Sequence, residues 1–398
     1  MSQSQPKIHF SWPLLTSPFV SQLGSMVYLL GLNWILVKAT GSTALLGTIE
    51  GIGGIAFLAG DLLVGVLVDN GNRKKVLIGT DLFAALACLA GALLVTPHHP
   101  QTWLLMLVTS VLDMMNAINY PAAKAIIPEI ITRDSRQRFN ALANTTFNLA
   151  NVLAPLVGGL LLGLHGITFQ TFLFINSLSF ILGVILNALM TYHHQPQTQP
   201  THWWAGIIGG LKYVWAHPDL VSLIIAMAIF NFLYADINLV QPYIGTHYFG
   251  GQASNYSLLL TLIAIGGVLG GVSMAWQRRQ VTIQQLIFEL LISGAILTFM
   301  GLWLTKFTWL AGSLLYGIIQ ARFSVNTSTL IQAETAINYL GSVFGLSFLA
   351  FDGVQPFGSL IFGYLIPVFK QLSFSVFGLL TLIAFGLLLI MTRRFTTN

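Results

Sequence analysis

Charge is nearly missing from this chain. Only 7% of its 398 residues are Asp, Glu, Lys or Arg, where soluble domains carry roughly 25%. That excludes a soluble globular protein and a solvated, disordered tail. Cysteine is almost as scarce: Cys88 stands alone, so no disulfide can form within the chain and no CxxC redox or metal motif exists. A G-x-x-x-x-G-K-[ST] phosphate loop is also missing, and with it nucleotide hydrolysis by this chain. The start, "MSQSQPKIHFSWP", lacks the features of a signal peptide, so the first apolar segment is expected to remain uncleaved. Histidines are not rare, but His98-His99 and His193-His194 are adjacent pairs in polar stretches, and neighbours do not share a helix face. No metal and no cofactor is expected. Nor is an enzyme, because no nucleophile, base and orienting group occur at recognisable spacing.

What is present is apolar. Hydrophobic residues make up 55% of the chain, and its mean hydropathy is +0.78. Runs of about 20 residues, enough to cross a ~30 Å hydrocarbon layer as a helix, recur from end to end. They predict an all-α membrane protein with twelve transmembrane helices at 12–38, 43–69, 75–96, 102–127, 139–164, 168–192, 219–245, 254–276, 282–304, 307–331, 343–366 and 371–392. Lys and Arg gather on one side, in Lys7, Arg73-Lys74-Lys75, Lys124, Arg133, Arg136, Arg138, Lys212, Arg278-Arg279 and Arg393-Arg394. Short basic loops stay in the cytoplasm, which predicts a cell-membrane protein with both termini cytoplasmic. The net charge of +5 then reflects topology, not nucleic-acid binding.

The longest polar interruption follows the sixth span. Its Gln/Pro/His start reads as a linker and its later Trp and Leu residues as an interfacial helix. The chain thus divides into a six-helix bundle over 1–192, a linker over 193–218 and a second six-helix bundle over 219–398. The halves resemble each other weakly: Pro121 set on Asn326 brings Glu129 onto Glu334, and Pro155 set on Pro356 brings Asn151 onto Asp352. Two pseudo-symmetric six-helix halves around a central site form a transporter architecture.

The segment "GVLVDNGNRKKVL", Gly65 to Leu77, resembles the loop between the second and third helices of the major facilitator superfamily, G-x-L-a-D-r-x-G-r-k-x-x-L. Gly65, Leu67, Asp69, Arg73, Lys74 and Leu77 match in register; Asn70 replaces an Arg and Asn72 a Gly. Asn tolerates left-handed backbone, so the turn is expected to survive at Asn72. "SQLGS" at 21–25, "TGSTALLG" at 40–47, "RKKVLIGTDLF" at 73–83 and "YPAAKAIIPEII" at 120–131 are similar to the macrolide-efflux and siderophore-exporter group of drug:proton antiporters. "APLVGG" at 154–159 is close to an antiporter element, though small residues with Pro are also ordinary membrane packing. The resemblance implies the major facilitator fold, with spans one, four, seven and ten lining the cavity, and export of amphipathic small molecules by alternating access. Its implied partners are the small-molecule substrate, protons and membrane lipids, and the protein is expected to act as a monomer.

Without nucleotide hydrolysis, transport against a gradient needs an ion. A proton crossing ~100 mV yields about 2.3 kcal/mol, and a tenfold solute gradient costs about 1.4 kcal/mol. Coupling needs a group that changes charge inside the membrane. Asp113 is such a candidate: it sits near the middle of span four, with Asn116, Tyr120 and Lys124 on one face. Arg322 in span ten aligns with Ala117, carries Asn326 on its stripe, and is expected to share a cavity with Asp113. A static ion pair, or Arg322 as counter-charge to an anionic substrate, is the alternative. Asp352, which shares a face with Gln355, and Asp236, opposite the stripe of Asn231 and Tyr234, are further coupling candidates. Glu289, in a peripheral span, reads as structural. Gln22, Asn33, Glu50, Asn116, Tyr120, Asn231, Tyr234, Asn326 and Gln355 are the candidate substrate-cavity residues. Asp61, Gly65, Asp69, Arg73 and Asp81 cluster as a candidate cytoplasmic gate. The leading reading is a proton-coupled exporter; a proton-coupled importer, a facilitator or a lipid-handling membrane protein stands beside it.

Overall fold

The structure is a computed structural model that describes residues 8–64, 67–68, 71–96, 101–164, 166–192, 203–276, 281–336 and 339–396. Backbone in a bilayer must satisfy its own hydrogen bonds, and the chain meets that demand with helices. Twelve are long: α1 (Trp12–Thr40), α2 (Thr43–Val64), α3 (Arg73–Leu94), α4 (Thr102–Ile130), α5 (Arg136–Gly163), α6 (Phe169–Leu189), and, after the short α7 (Trp203–Trp215), α8 (Pro218–His247), α9 (Ala253–Ala275), α10 (Ile283–Leu302), α11 (Lys306–Glu334), α12 (Leu340–Phe369) and α13 (Ser373–Thr396). Each long helix answers one predicted span. The main differences lie at ends: α5 begins at Arg136 and α12 runs on to Phe369, through Pro356 and Pro367.

By internal packing the chain forms two units, Met1–Ile35 with Ile52–Thr201, and Leu36–Gly51 with His202–Asn398. In the first, α3 lies along α6 and α4, Gly60 of α2 meets Met114 and Ala117 of α4, and Gly158 of α5 meets Leu30 of α1. The second repeats these pairings: α10 lies along α13, α9 along α11, and α12 along α8. Close approach rests on small residues, as is usual where lipid supplies no hydrophobic drive between helices. Gly266 and Gly270 of α9 sit against backbone of Leu314 and Ile318 of α11, leaving no room for a Cβ. Large apolar side chains such as Leu82, Phe83, Leu86 and Leu93 stay exposed on one side of α3, while Asp81 and Cys88 are buried on the other. An outward apolar face is what lipid requires of a helix.

The second unit also contains the start of α2. Thr43 donates from Oγ1 to the Gly363 carbonyl at 2.8 Å, and Gly47 and Gly51 rest on α12 at Ser359, Pro356 and Leu360. Asn72 differs from expectation. It is extended (φ −76°, ψ 102°), not left-handed, and its side chain accepts from the Lys75 N–H as N-cap of α3. An Asn in place of Gly therefore contributes a cap, not a turn conformation. Gly65 and Asp69 lie outside the described residues.

Candidate functional site

In the second unit α8, α11 and α12 enclose a cavity of about 340 Å³, within the range of small-molecule pockets. Met227, Phe230, Asn231 and Tyr234 come from α8, Gln320, Phe323, Ser324, Thr327, Ser328 and Ile331 from α11, and Phe344, Ser347, Phe348, Phe351 and Gln355 from α12. They lie from the helix midpoints, where Tyr234, Gln320 and Gln355 stand, toward the end where α8 begins, α11 ends and α12 begins. No lining residue is charged. Aromatic rings dominate: Phe230 packs on Phe323 with centroids 4.2 Å apart, and Phe344 stacks on Phe348 at 6.1 Å. Asn231 is anchored by donating from Nδ2 to the Phe351 carbonyl at 2.7 Å, with Gln355 Oε1 at 3.5 Å. Thr327 also lines the space, and its buried hydroxyl has no hydrogen-bond partner among the described residues. Such a surface suits a neutral, ring-bearing molecule with few polar groups. Asn231, Tyr234 and Gln355, three of the sequence candidates, meet here.

The counterpart region of the first unit is nearly closed, about 20 Å³ among α1, α4 and α5. Tyr120 packs on Phe147 there, and Lys124 stands over the Tyr120 ring, 5.5 Å from its centroid, while bonding Asn144. Gln22 donates to Asn151 at 2.9 Å, joining α1 to α5. Asn33 is buried, its carbonyl oxygen unpartnered among the described residues. Asn116 is half-buried on α4.

Asp113 lies on α4 against Gly53 of α2 and beside Thr109, whose hydroxyl is shared with Tyr28 at 3.0 Å. Ion pairs among the described residues are Arg73–Glu129 and Arg322–Glu289; Asp113 is in neither, and no described residue donates a hydrogen bond to it. Arg322 departs from expectation. Its Nε donates to Glu289 Oε1 at 3.0 Å, Nη2 bonds the same oxygen, and Nη1 donates to Ser273 at 2.9 Å. Asn326 is fully buried and donates to Glu289 Oε2 at 2.9 Å. The stripe of Arg322 and Asn326 thus points at α9 and α10, and neither residue lines the cavity of its unit. Sequence reasoning set Glu289 aside because its span was peripheral; the stripe itself was legible, its target was not.

Glu50 accepts from Ser359 of α12 at 3.5 Å, within the second unit. Asp352 is half-buried on α12 and is not among the cavity-lining residues. Asp236 belongs to α8, but its side chain lies outside the described part. Of the expected gate, Arg73 is buried and turns to Glu129, with Nε on the Val68 carbonyl at 3.1 Å and Nη1 on that of Ala125 at 3.2 Å. Asp61 is half-buried on α2. Asp81 does not join Arg73: it is 1% exposed and accepts from Asn187 at 2.8 Å, Asn119 at 3.0 Å and Ser21 at 3.5 Å. Among the described residues no group of His, Cys, Asp and Glu could hold a metal ion.

Comparison with known proteins places these features in context. The family model of the Major Facilitator Superfamily matches residues 14–358. Macrolide efflux protein A of Streptococcus pyogenes is 23% identical over 351 residues, covering 86% of this chain and 85% of that protein. The enterobactin exporter EntS of Salmonella typhimurium is 25% identical over 403 residues, covering 96% and 94%. Among solved structures, a bacterial homologue of the human lysosomal transporter Spinster, inward-facing and unoccupied, superposes with a TM-score of 0.75 at 15% identity, covering 99% of both chains. The peptide transporter POT in complex with sulfate gives 0.72 at 16%, covering 96% and 94%.

Proposed function

Because the chain belongs to the major facilitator superfamily, we propose that it works as a proton-coupled exporter of amphipathic small molecules, by alternating access, with both termini cytoplasmic. It is a multi-pass membrane transporter and not an enzyme. Export is supported by the efflux proteins among its relatives, one named for macrolides and one for enterobactin. The uncharged, aromatic-lined cavity of the second unit carries the reading of the substrate. A charged solute would give up its hydration there without a partner, at a cost of several kcal/mol, whereas a ring-bearing molecule gains about 25 cal/mol per Å² of apolar surface removed from water. On the expected topology this cavity reaches from mid-helix toward the cytoplasmic side, where an export substrate would enter.

Asp113 serves as the coupling acid in this reading. A carboxylate in a membrane helix costs roughly 2.5–3.5 kcal/mol as an ion, and Asp113 has neither an ion pair nor a hydrogen bond among the described residues to offset it. Taking up a proton removes that cost, and hydration in another state of the cycle restores the ion. Asp352 and Asp236 are the next candidates.

The test uses purified protein in liposomes with an internal pH dye and an imposed proton gradient. Neutral aromatic amphiphiles should trigger proton flux in wild type, and Asp113→Asn should abolish it. Phe323→Ala, which removes a cavity wall, should raise the half-saturating substrate concentration about tenfold or more with less effect on maximal rate. Wild-type solute flux without proton movement would refute coupling; unchanged saturation in Phe323→Ala would refute the cavity.

A further inference from the structure

Each unit buries a carboxylate on the helix that follows its second span. Asp81 lies about two turns into α3 and Glu289 about two turns into α10. Glu289 faces Arg322 of α11. In the first unit the residue aligned with Arg322 is Ala117, 1% exposed and packed against Gly60. The cation is therefore missing where the repeat would put it. Asp81 is instead bonded by two amides and a hydroxyl: Asn187 of α6, Asn119 of α4 and Ser21 of α1. Asn119 spends its second N–H on Thr80 at 2.7 Å.

The charged groups nearby are committed elsewhere. On α3, Arg73 pairs with Glu129, Lys74 donates to the Ala188 and Met190 carbonyls at the end of α6, and Lys75 is exposed. On α4, Lys124 bonds Asn144 and Asp113 lies against Gly53. On α1, Tyr28 shares its hydroxyl with Thr109, and α6 has no titratable side chain. None of these bonds Asp81.

We propose that Asp81 is a proton-binding site of the first unit and that its occupancy sets how tightly α1 and α4 are tied to α3 and α6. The chemistry is a reversible addition of one proton from water: a carboxylate oxygen gains an O–H and the charge is lost. The ion accepts all three donors. The neutral acid carries a donor of its own, and Asn119 or Asn187 can receive it by turning its amide so that the carbonyl replaces the NH₂. One of the present N–H bonds is then broken. The Ser21 contact, the longest of the three at 3.5 Å, is the side from which a proton reaches the carboxyl. Crowding adds leverage, since a Cβ on Gly183 would stand 2.8 Å from Asp81 Oδ2 and 2.7 Å from Ser21 Oγ. Ser21 directly precedes Gln22, and Asn119 lies between Asn116 and Tyr120, so the helices released are those that carry candidate substrate residues. That consequence rests on the transport reading; the site itself does not.

The experiment is infrared difference spectroscopy of the full-length protein in lipid films, titrated with pH in H₂O and D₂O. The expected result is a protonated-carboxyl C=O band that grows as pH falls, shifts in D₂O, persists in Asp113→Asn and vanishes in Asp81→Asn. Should Asp81→Asn fail to fold, Asn187→Leu keeps the acid but removes one partner, and the band should move to higher frequency. A band absent at every pH, or unchanged by these substitutions, would overturn the proposal. Substrate-driven proton flux is read separately, so loss of the transport reading leaves this result intact, and the reverse.

Discussion

Replacing Glu289 by Gln would take the negative charge away from a guanidinium that has been built around it. Glu289 accepts from Nε and Nη2 of Arg322 and from Nδ2 of Asn326, and the two charged side chains are 10% and 21% exposed. Breaking a buried pair from one side costs about 3–5 kcal/mol, mostly for the charge left behind. Glu289→Gln and Arg322→Gln should each lose stability on that scale. In the double variant no charge is stranded and two amides face each other, so its loss should be nearer about 1–2 kcal/mol. The coupling energy of the cycle is then at least about 4 kcal/mol, well outside the ~0.5 kcal/mol of independent sites. Equilibrium unfolding in mixed detergent micelles, read by tryptophan fluorescence, measures all four proteins. Asn326→Ala should cost about 1.5–3 kcal/mol, the worth of one hydrogen bond to a charged group. Losses that merely add would refute the commitment of Arg322 to Glu289. The same double variant should retain substrate transport, because neither residue lines the cavity.

Two more predictions follow from packing and from the Arg73 site. Gly266→Ala should destabilise by about 1–3 kcal/mol, since its Cβ meets the Leu314 carbonyl, while Gly267→Ala next to it, with nothing within 4 Å, should be neutral; equal thermal midpoints for the two would refute the close α9–α11 contact. Arg73→Lys keeps the charge but gives up the fork that reaches Val68, Ala125 and Glu129 together, so a midpoint drop comparable to Glu129→Gln is expected, and a harmless Lys would show that charge alone suffices.

Most of the architecture was legible because lipid imposes one rule on every span. Hydropathy marks length, Lys and Arg mark ends, and the long helices fall where those signals put them. The segment expected to lie at the interface is helical over Trp203–Trp215, and its Gly210 sits against Ser342 of α12. Side-chain partners were harder. Helical spacing reports which residues share a face, not which helix lies opposite, and so Arg322 with Asn326 was assigned to a cavity when it turns to Glu289. Asn231 and Tyr234 both line the cavity, whereas Gln241, about two turns farther along α8, is buried and bonded to Trp309 and Ser313. Asp81 was grouped with the basic loop because it is close in sequence; its amide partners lie on α4 and α6, at separations no local pattern reports.

The wall of the second unit's cavity has a consequence for chemical breadth. Phenyl rings and small hydroxyls discriminate by fit, and one methylene in such a pocket is worth only about 1–3 kcal/mol. Sharp rejection comes from buried polar groups that go unpaired with the wrong ligand, and here Asn231 is already satisfied by the Phe351 carbonyl. Among the described residues, the Thr327 hydroxyl is the lining group that a ligand without a hydrogen-bonding atom would leave wanting. Selectivity in this cavity is therefore shallow, and a single Phe truncation at 323, 348 or 351 redraws the range of molecular shapes it admits.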